Sequence, residues 1–184
     1  QKGRLRIFNQ FGVECLGNKS PYTDVETIAL AFSILKALGL QDLKVCLNTL
    51  GDDDSRANYR QALKDYFAPY KEELCSDCKR RYEQNPLRIL DCKVDKDKEC
   101  MKHVPKMKDY LNEESKSYFD TVCALLDELE IPYEIDDQLV RGLDYYTHTV
   151  FEIVSLNKEM GAQSTVLAGG RYDGLIPYFG GPEA

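Results

Sequence analysis

No apolar run in this sequence is long enough to cross a bilayer, and no basic-then-apolar segment opens it, so neither a spanning helix nor a secretory leader is expected. It also lacks the even, regularly spaced cysteines of a secreted disulfide framework. Its seven cysteines cannot all pair within one chain, and they form a single close pair, the pattern of reduced thiols. Positive charge is missing too: at a net −7 the chain is no generic nucleic-acid binder, and any RNA contact must come from a local excess of cations. There are no internal repeats and no low-complexity tracts. A soluble, cytoplasmic globular protein is the expectation, with 184 residues enough for one core, or one core and a small satellite.

What is present centres on residues 139–153, where a tight turn holding Arg141 and Asp144 leads into a run of β-branched and aromatic residues. That composition, bounded by turn residues, predicts a strand. An arginine at the mouth of a sheet offers a fork of donors. It either grips a carboxylate or phosphate, or it pairs with Asp144 to hold the turn.

The chain begins with period-two alternation. Leu5, Ile7, Phe11, Val13 and Cys15 share one face, broken only by Asn9, and Arg4, Arg6, Phe8, Gln10 and Glu14 share the other. This predicts a strand with one buried side. The other side is either a solvated face or a working one. An aromatic after two arginines, followed by an amide and a carboxylate, favours the working one. At about 3.3 Å per residue Gln10 and Glu14 stand roughly 13 Å apart along the backbone, close enough to bracket one amino acid.

A helix is predicted after Ser20, with Thr23 and Glu26 at capping-box spacing and Val25, Ile28, Phe32 and Leu35 on its apolar side, ended by Gly39. Leu43 to Thr49 reads as a buried strand, and Gly51 to Asp54 as a turn. From about Asp54 to Asn112 the reading is helical, with charges on every face and proline punctuation. A capped helix from Asn112 and a short edge strand at 131–136 follow, and after Ile153 a polar turn precedes Ala162 to Ala168. Gly169 and Gly170 come next, either as a hairpin corner or as a backbone that something approaches closely. Cys75 and Cys78, with Cys92, Cys100 and His103 downstream, are weighed as a metal site. The loose gap from Cys92 to Cys100 provides no second tight pair, so no structural metal is expected.

The string Arg141-Gly-Leu-Asp-Tyr-Tyr-Thr-His-Thr-Val-Phe-Glu resembles the first histidine signature of histidyl-tRNA synthetases, class II enzymes. Gly169-Gly-Arg-Tyr-Asp-Gly-Leu resembles their second signature, and Gly180-Gly-Pro the loop after it. Gly3 to Gln10 is similar to their motif 2 loop and second strand, departing at Leu5 and Asn9, both on the face away from the working side. Asn85 to Asp91 resembles the insertion of the bacterial type. The strings fall in the family's order across nearly the whole chain, without motif 1, motif 3 or an anticodon-binding domain.

The resemblance implies an α+β fold: part of the class II antiparallel sheet with flanking helices, plus an inserted helical subdomain. Residues 1–53 and 113–184 would form a partial catalytic domain and 54–112 the insertion. It implies activation of histidine with ATP and Mg²⁺, then transfer to tRNA(His), in an enzyme that is a homodimer and has no membrane contact. The fragment alone is expected to be inactive. By resemblance, Arg141 is catalytic and holds the histidine carboxylate and the α-phosphate, while Gln10 contacts the amino acid's backbone end. Glu14 and Tyr146 satisfy the imidazole, and Tyr145, Gly169, Gly170 and Tyr172 border the pocket. Phe8 stacks on adenine, Arg4 reaches the terminal phosphates and Gln10 also meets ATP. Lys79, Arg80, Arg81 and Arg88 face the tRNA. A non-aminoacylating relative, the synthetase-like regulatory subunit of ATP phosphoribosyltransferase, is the alternative.

Overall fold

The computed structural model describes residues 6–140, 145–157 and 164–182. Four strands, β1 (Leu43–Thr49), β2 (Tyr133–Ile135), β3 (Thr147–Ser155) and β4 (Thr165–Arg171), form one sheet in the order β2-β1-β3-β4. The β1–β3 and β3–β4 ladders are antiparallel, and the short edge strand β2 runs parallel to β1. β1 is nearly continuous in buried residues and β3 has no exposed one, because both of their faces are covered. The α+β architecture is the one expected. No helix among the described residues is long and apolar enough to cross a membrane.

The strand period of two divides the core. Val45 and Leu47 of β1, with Phe151 and Ile153 of β3, face the helices α1 (Pro21–Ala37) and α4 (Glu113–Glu128). Cys46 and Val150 point the other way, into a second core. That core is built by α2 (Asp53–Phe67), α3 (Ser76–Gln84) and the 3₁₀ turns between and after them, with Tyr59, Leu63, Phe67, Ile89 and Met107 wholly or almost wholly buried. The region read as helical is therefore helical, in short pieces broken at its prolines, and its apolar interior runs on into one face of the sheet.

Local signals explain the boundaries. The Ser20 hydroxyl caps α1 by accepting from the Tyr22 amide, so the helix begins one turn before the Thr23/Glu26 capping box. At its end, Leu40 N–H reaches Leu35 O and Gly39 N–H reaches Lys36 O, with Gly39 at φ +88°, a glycine-terminated stop of the Schellman type. Asp52 caps α2 through Ser55 N–H at 2.8 Å, so the expected turn at 51–54 is a helix start. Asn112 caps α4 as expected, through Ser115 N–H at 2.8 Å.

One expectation fails. Residues 6–19 form no strand, and the apolar face assigned to them is open to solvent, with Ile7 88% and Phe11 75% exposed. Alternation says which side chains share a face, whereas a strand also needs a hydrogen-bonding neighbour. Among the described residues none pairs with this segment.

The free edge of the sheet is fastened by ionic contacts. Arg171, at the end of β4, places Nη1 2.6 Å from Asp24 Oδ1 on α1 and Nε 2.9 Å from Asp173 Oδ2, and both Arg171 and Asp24 side chains are under a tenth exposed. Asp24 Oδ2 accepts from Thr149 at 2.5 Å and Tyr118 at 2.9 Å, and Asp173 accepts from Thr147 at 3.0 Å. β3 bulges where it meets this cluster, with His148 at φ +42° and its ring stacked on Tyr118, centroids 4.5 Å apart.

Removing one partner from such a buried group leaves the other charge uncompensated. Arg171→Leu should lower stability by about 3–5 kcal/mol in denaturant titrations, against under 1 for the exposed pair partner Arg80→Leu. Equal effects would show that the buried network carries no special weight. Burial pushes the His148 imidazole below its usual 6.5, with Arg171 adding to the push and Asp173, Asp52 and Asp24 opposing it. The unfolded chain thus binds this proton first, and stability falls as pH drops from 6.5 through the lower folded value. Thermal midpoints should decline over that interval, and His148→Asn, which tolerates positive φ, should flatten the decline. An unchanged slope in the variant would remove His148 from the account.

Candidate functional site

A cavity of about 450 Å³, within the size range of small-molecule sites, opens between residues 10–18, α1, β3 and the β4 edge. Its walls bring together residues more than 150 positions apart in sequence. Gln10 and Glu14 come from the N-terminal segment, Tyr145 and Tyr146 from the approach to β3, Gly169 and Gly170 from β4, and Tyr172 from just beyond it. Seven of the residues singled out from sequence thus share one cavity.

The three tyrosines form an aromatic wall. Tyr145 and Tyr146 meet edge to face at 5.4 Å, Tyr145 and Tyr172 at 6.3 Å, and Tyr146 stacks towards Tyr172 at 6.5 Å. Burial pushes the Tyr172 phenol up to about 12, and the facing Glu14 carboxylate adds to that shift. The Tyr172 hydroxyl and the Glu14 carboxylate thus face each other at the cavity wall. Arg56, buried on α2, donates to the Tyr146 carbonyl and fixes that end of the wall.

Gly169 and Gly170 lie inside β4, so the hairpin-corner reading is excluded. What approaches them is the protein itself. A Cβ at Gly169 would stand 2.7 Å from the Phe151 ring, and one at Gly170 would stand 3.1 Å from both the Tyr146 ring and the Thr149 carbonyl. Gly170 lets Tyr146 lie close on the strand, and Gly169 does the same for Phe151.

Phe8 is exposed and outside the cavity lining. Arg4 and Arg141 lie outside the described residues. Of the four cations read as RNA-facing, Lys79 pairs with Glu72 at 2.7 Å and Arg80 with Asp77 at 3.0 Å. Arg81 donates to the Arg88 carbonyl at 2.9 Å, and Arg88 is exposed. Carboxylates on the same surface therefore offset part of that patch. Cys75, Cys78 and Cys92 converge, and the group that joins them is Asp95, not Cys100 or His103.

Sequence reasoning passed over Asp24, Thr149, Arg171 and Asp173, all of which line the cavity. The signal for Asp24 was present: it sits four residues before Ile28 and seven before Ala31, in phase with the buried stripe of α1. A carboxylate there requires a buried partner.

A family model described as Histidyl-tRNA synthetase matches residues 1–184. The Histidine--tRNA ligases of Bacillus velezensis and Bacillus subtilis are 56% and 55% identical over 184 residues, which is 100% of this chain and 43% of each relative. The chain thus spans under half the length of these relatives. A crystal structure of apo S. aureus histidyl-tRNA synthetase superposes with a TM-score of 0.72 at 41% identity, covering 91% of this chain and 40% of that one. A Bacillus halodurans structure described as an ATP phosphoribosyltransferase regulatory subunit/histidyl-tRNA synthetase has a TM-score of 0.52 at 21% identity, covering 90% and 46%, a likeness of fold alone. Matched along its whole length, and more than half identical to these ligases, the chain belongs to the histidyl-tRNA synthetase family.

Proposed function

We propose that the chain forms the histidine pocket of a histidine–tRNA ligase, which uses ATP with Mg²⁺ to make histidyl-adenylate and then charges tRNA(His). The observation that carries the reading is the gathering of Gln10, Glu14, the three tyrosines and the paired glycines around one cavity. Imidazole needs an acceptor for its N–H and a partner for its second nitrogen. Glu14 is the acceptor, Tyr146 serves the other nitrogen, and Tyr145, Tyr172, Gly169 and Gly170 shape the space around the ring. Gln10 takes the backbone end of the amino acid. Phe8 stacks on adenine and Arg4 meets the terminal phosphates, roles that rest on the family resemblance. The chemistry is attack of the histidine carboxylate on the α-phosphate, and Arg141 is the catalytic cation touching both.

We also propose that residues 54–112 are the inserted helical subdomain and that residues 1–53 with 113–184 are the part of the catalytic domain this chain supplies. Lys79, Arg80, Arg81 and Arg88 present that insertion to tRNA. The enzyme works in the cytoplasm as a homodimer.

The tests use the protein at its full natural length. A cation that stabilises both approaching negative groups is worth more in the transition state than in the ground state. Arg141→Ala should therefore slow single-turnover adenylate formation by about 10²–10³, with histidine affinity reduced less, and Arg141→Lys should recover little. A loss under about tenfold, or about 1.4 kcal/mol, would return Arg141 to a turn-holding role beside Asp144. Glu14→Gln should weaken histidine binding by about 1–3 kcal/mol in calorimetry, since the imidazole N–H loses its charged acceptor. Unchanged affinity would place the ring elsewhere.

A further inference from the structure

We propose that Cys75, Cys78, Cys92 and Asp95 bind one zinc ion, which staples the helical segment together. The Sγ atoms of the three cysteines and a carboxylate oxygen of Asp95 all lie within 4.8 Å of one another, and Cys78, Cys92 and Asp95 are buried. Two thiolates each about 2.3 Å from a tetrahedral zinc stand about 3.8 Å apart. Cys75 Sγ and Cys92 Sγ are separated by 3.8 Å.

The second tight pair that seemed missing from the sequence is present once a carboxylate is allowed as a ligand. Cys92 and Asp95 have the same two-residue gap as Cys75 and Cys78. The backbone treats the two pairs alike: Cys78 N–H points at Cys75 Sγ at 3.4 Å, and Asp95 N–H points at Cys92 Sγ at 3.4 Å. Such N–H···S contacts orient metal-bound thiolates and offset their charge. Cys75 also caps α3, where the helix dipole favours a thiolate.

Packing alone accounts for buried cysteines, which behave as small apolar side chains. It does not account for Asp95, at 0% exposure. One of its oxygens accepts from Cys75 N–H at 3.0 Å. The other faces Lys98 Nζ at 2.8 Å in an ion pair, without an aligned hydrogen bond. A zinc ion would add a ligand bond to a carboxylate already held by Cys75 N–H and Lys98, and Lys98 offsets part of the negative charge left by three thiolates and one carboxylate around a divalent cation. Four protein ligands close the coordination sphere, so the site is structural, not catalytic. It ties the start of α3 to the loop after the 3₁₀ turn Pro86–Ile89, within a core assembled from short helical pieces.

The test is elemental analysis of the protein, purified in zinc-supplemented medium with a non-thiol reductant and no chelator. One zinc per chain is expected. Cys46→Ser, which alters a buried cysteine outside the cluster, should keep it, and Cys75→Ser and Cys78→Ser should each hold under about a tenth of an equivalent. Because those variants could simply misfold, cobalt substitution of the unaltered protein provides an independent reading. The visible bands of a tetrahedral ion and thiolate charge transfer should appear, shifting when Asp95→Cys replaces oxygen with sulfur. Zinc below about a tenth of an equivalent in the unaltered protein, retention of zinc by both cysteine variants, octahedral cobalt, or a Cys75–Cys92 disulfide under these conditions would each overturn the proposal.

Discussion

A carboxylate taken out of water at Asp24 must find its partners inside the protein, and where it finds them decides how the candidate site is assembled. Arg171 comes to it from β4, Thr149 from β3 and Tyr118 from α4. Three elements that the apolar core packs only in a general way are thereby set at one depth around a single group. Arg171 also donates to the Asn18 carbonyl at 2.6 Å, which fastens the N-terminal segment over the β4 edge. That contact keeps Gln10 and Glu14 above the cavity although they belong to no strand.

Some of this was legible before any coordinates. β1, β2, β3 and α4 follow from hydrophobic period, edge-strand proline and N-cap chemistry, all local signals. The cavity residues followed from resemblance. What resisted reading needed a partner distant in sequence. The alternation at 5–15 predicted a strand with one buried face, yet a ladder depends on a neighbour that alternation does not identify, and both sets of side chains at 6–15 are exposed. Asp24 was passed over, although its phase with Ile28 put it on the inward side of α1. Cys92 was searched for a second cysteine, and only folding places Asp95 where it answers the Cys75/Cys78 pair.

Of the two readings of the paired glycines, the close approach of a neighbour to the backbone is the one found. Their lack of side chains is used by Phe151 and Tyr146, which press on the strand at distances that a Cβ would violate. Gly170 thereby sets the depth of Tyr146 in the aromatic wall and Gly169 makes room for Phe151, while both glycines also line the cavity. In the proposed histidine pocket this matters for selectivity. A site with polar groups aimed at imidazole leaves them unpaired with any other amino acid, and that penalty holds only if the wall prevents the ring from tilting away.

The sheet and the helical segment each fasten a backbone carbonyl that is close to Arg141 in sequence. Asn48, buried in the middle of β1, donates to the Leu139 carbonyl at 3.0 Å, while Arg56 of α2 donates to the Tyr146 carbonyl. The chain is thus gripped on both sides of residues 141–144, once by the sheet and once by the helical segment. Side chains whose rotamers are locked by such supporting contacts hold a site more closely than loop packing does. A helical segment built from short pieces serves that purpose only if it is itself rigid, because any slack in α2 passes through Arg56 to Tyr146. The cysteine–aspartate cluster lies in the segment whose core includes Tyr59, Leu63 and Phe67, which hold α2 against the sheet. A metal staple there would act on the pocket at a distance, by setting how firmly α2 keeps hold of the Tyr146 carbonyl.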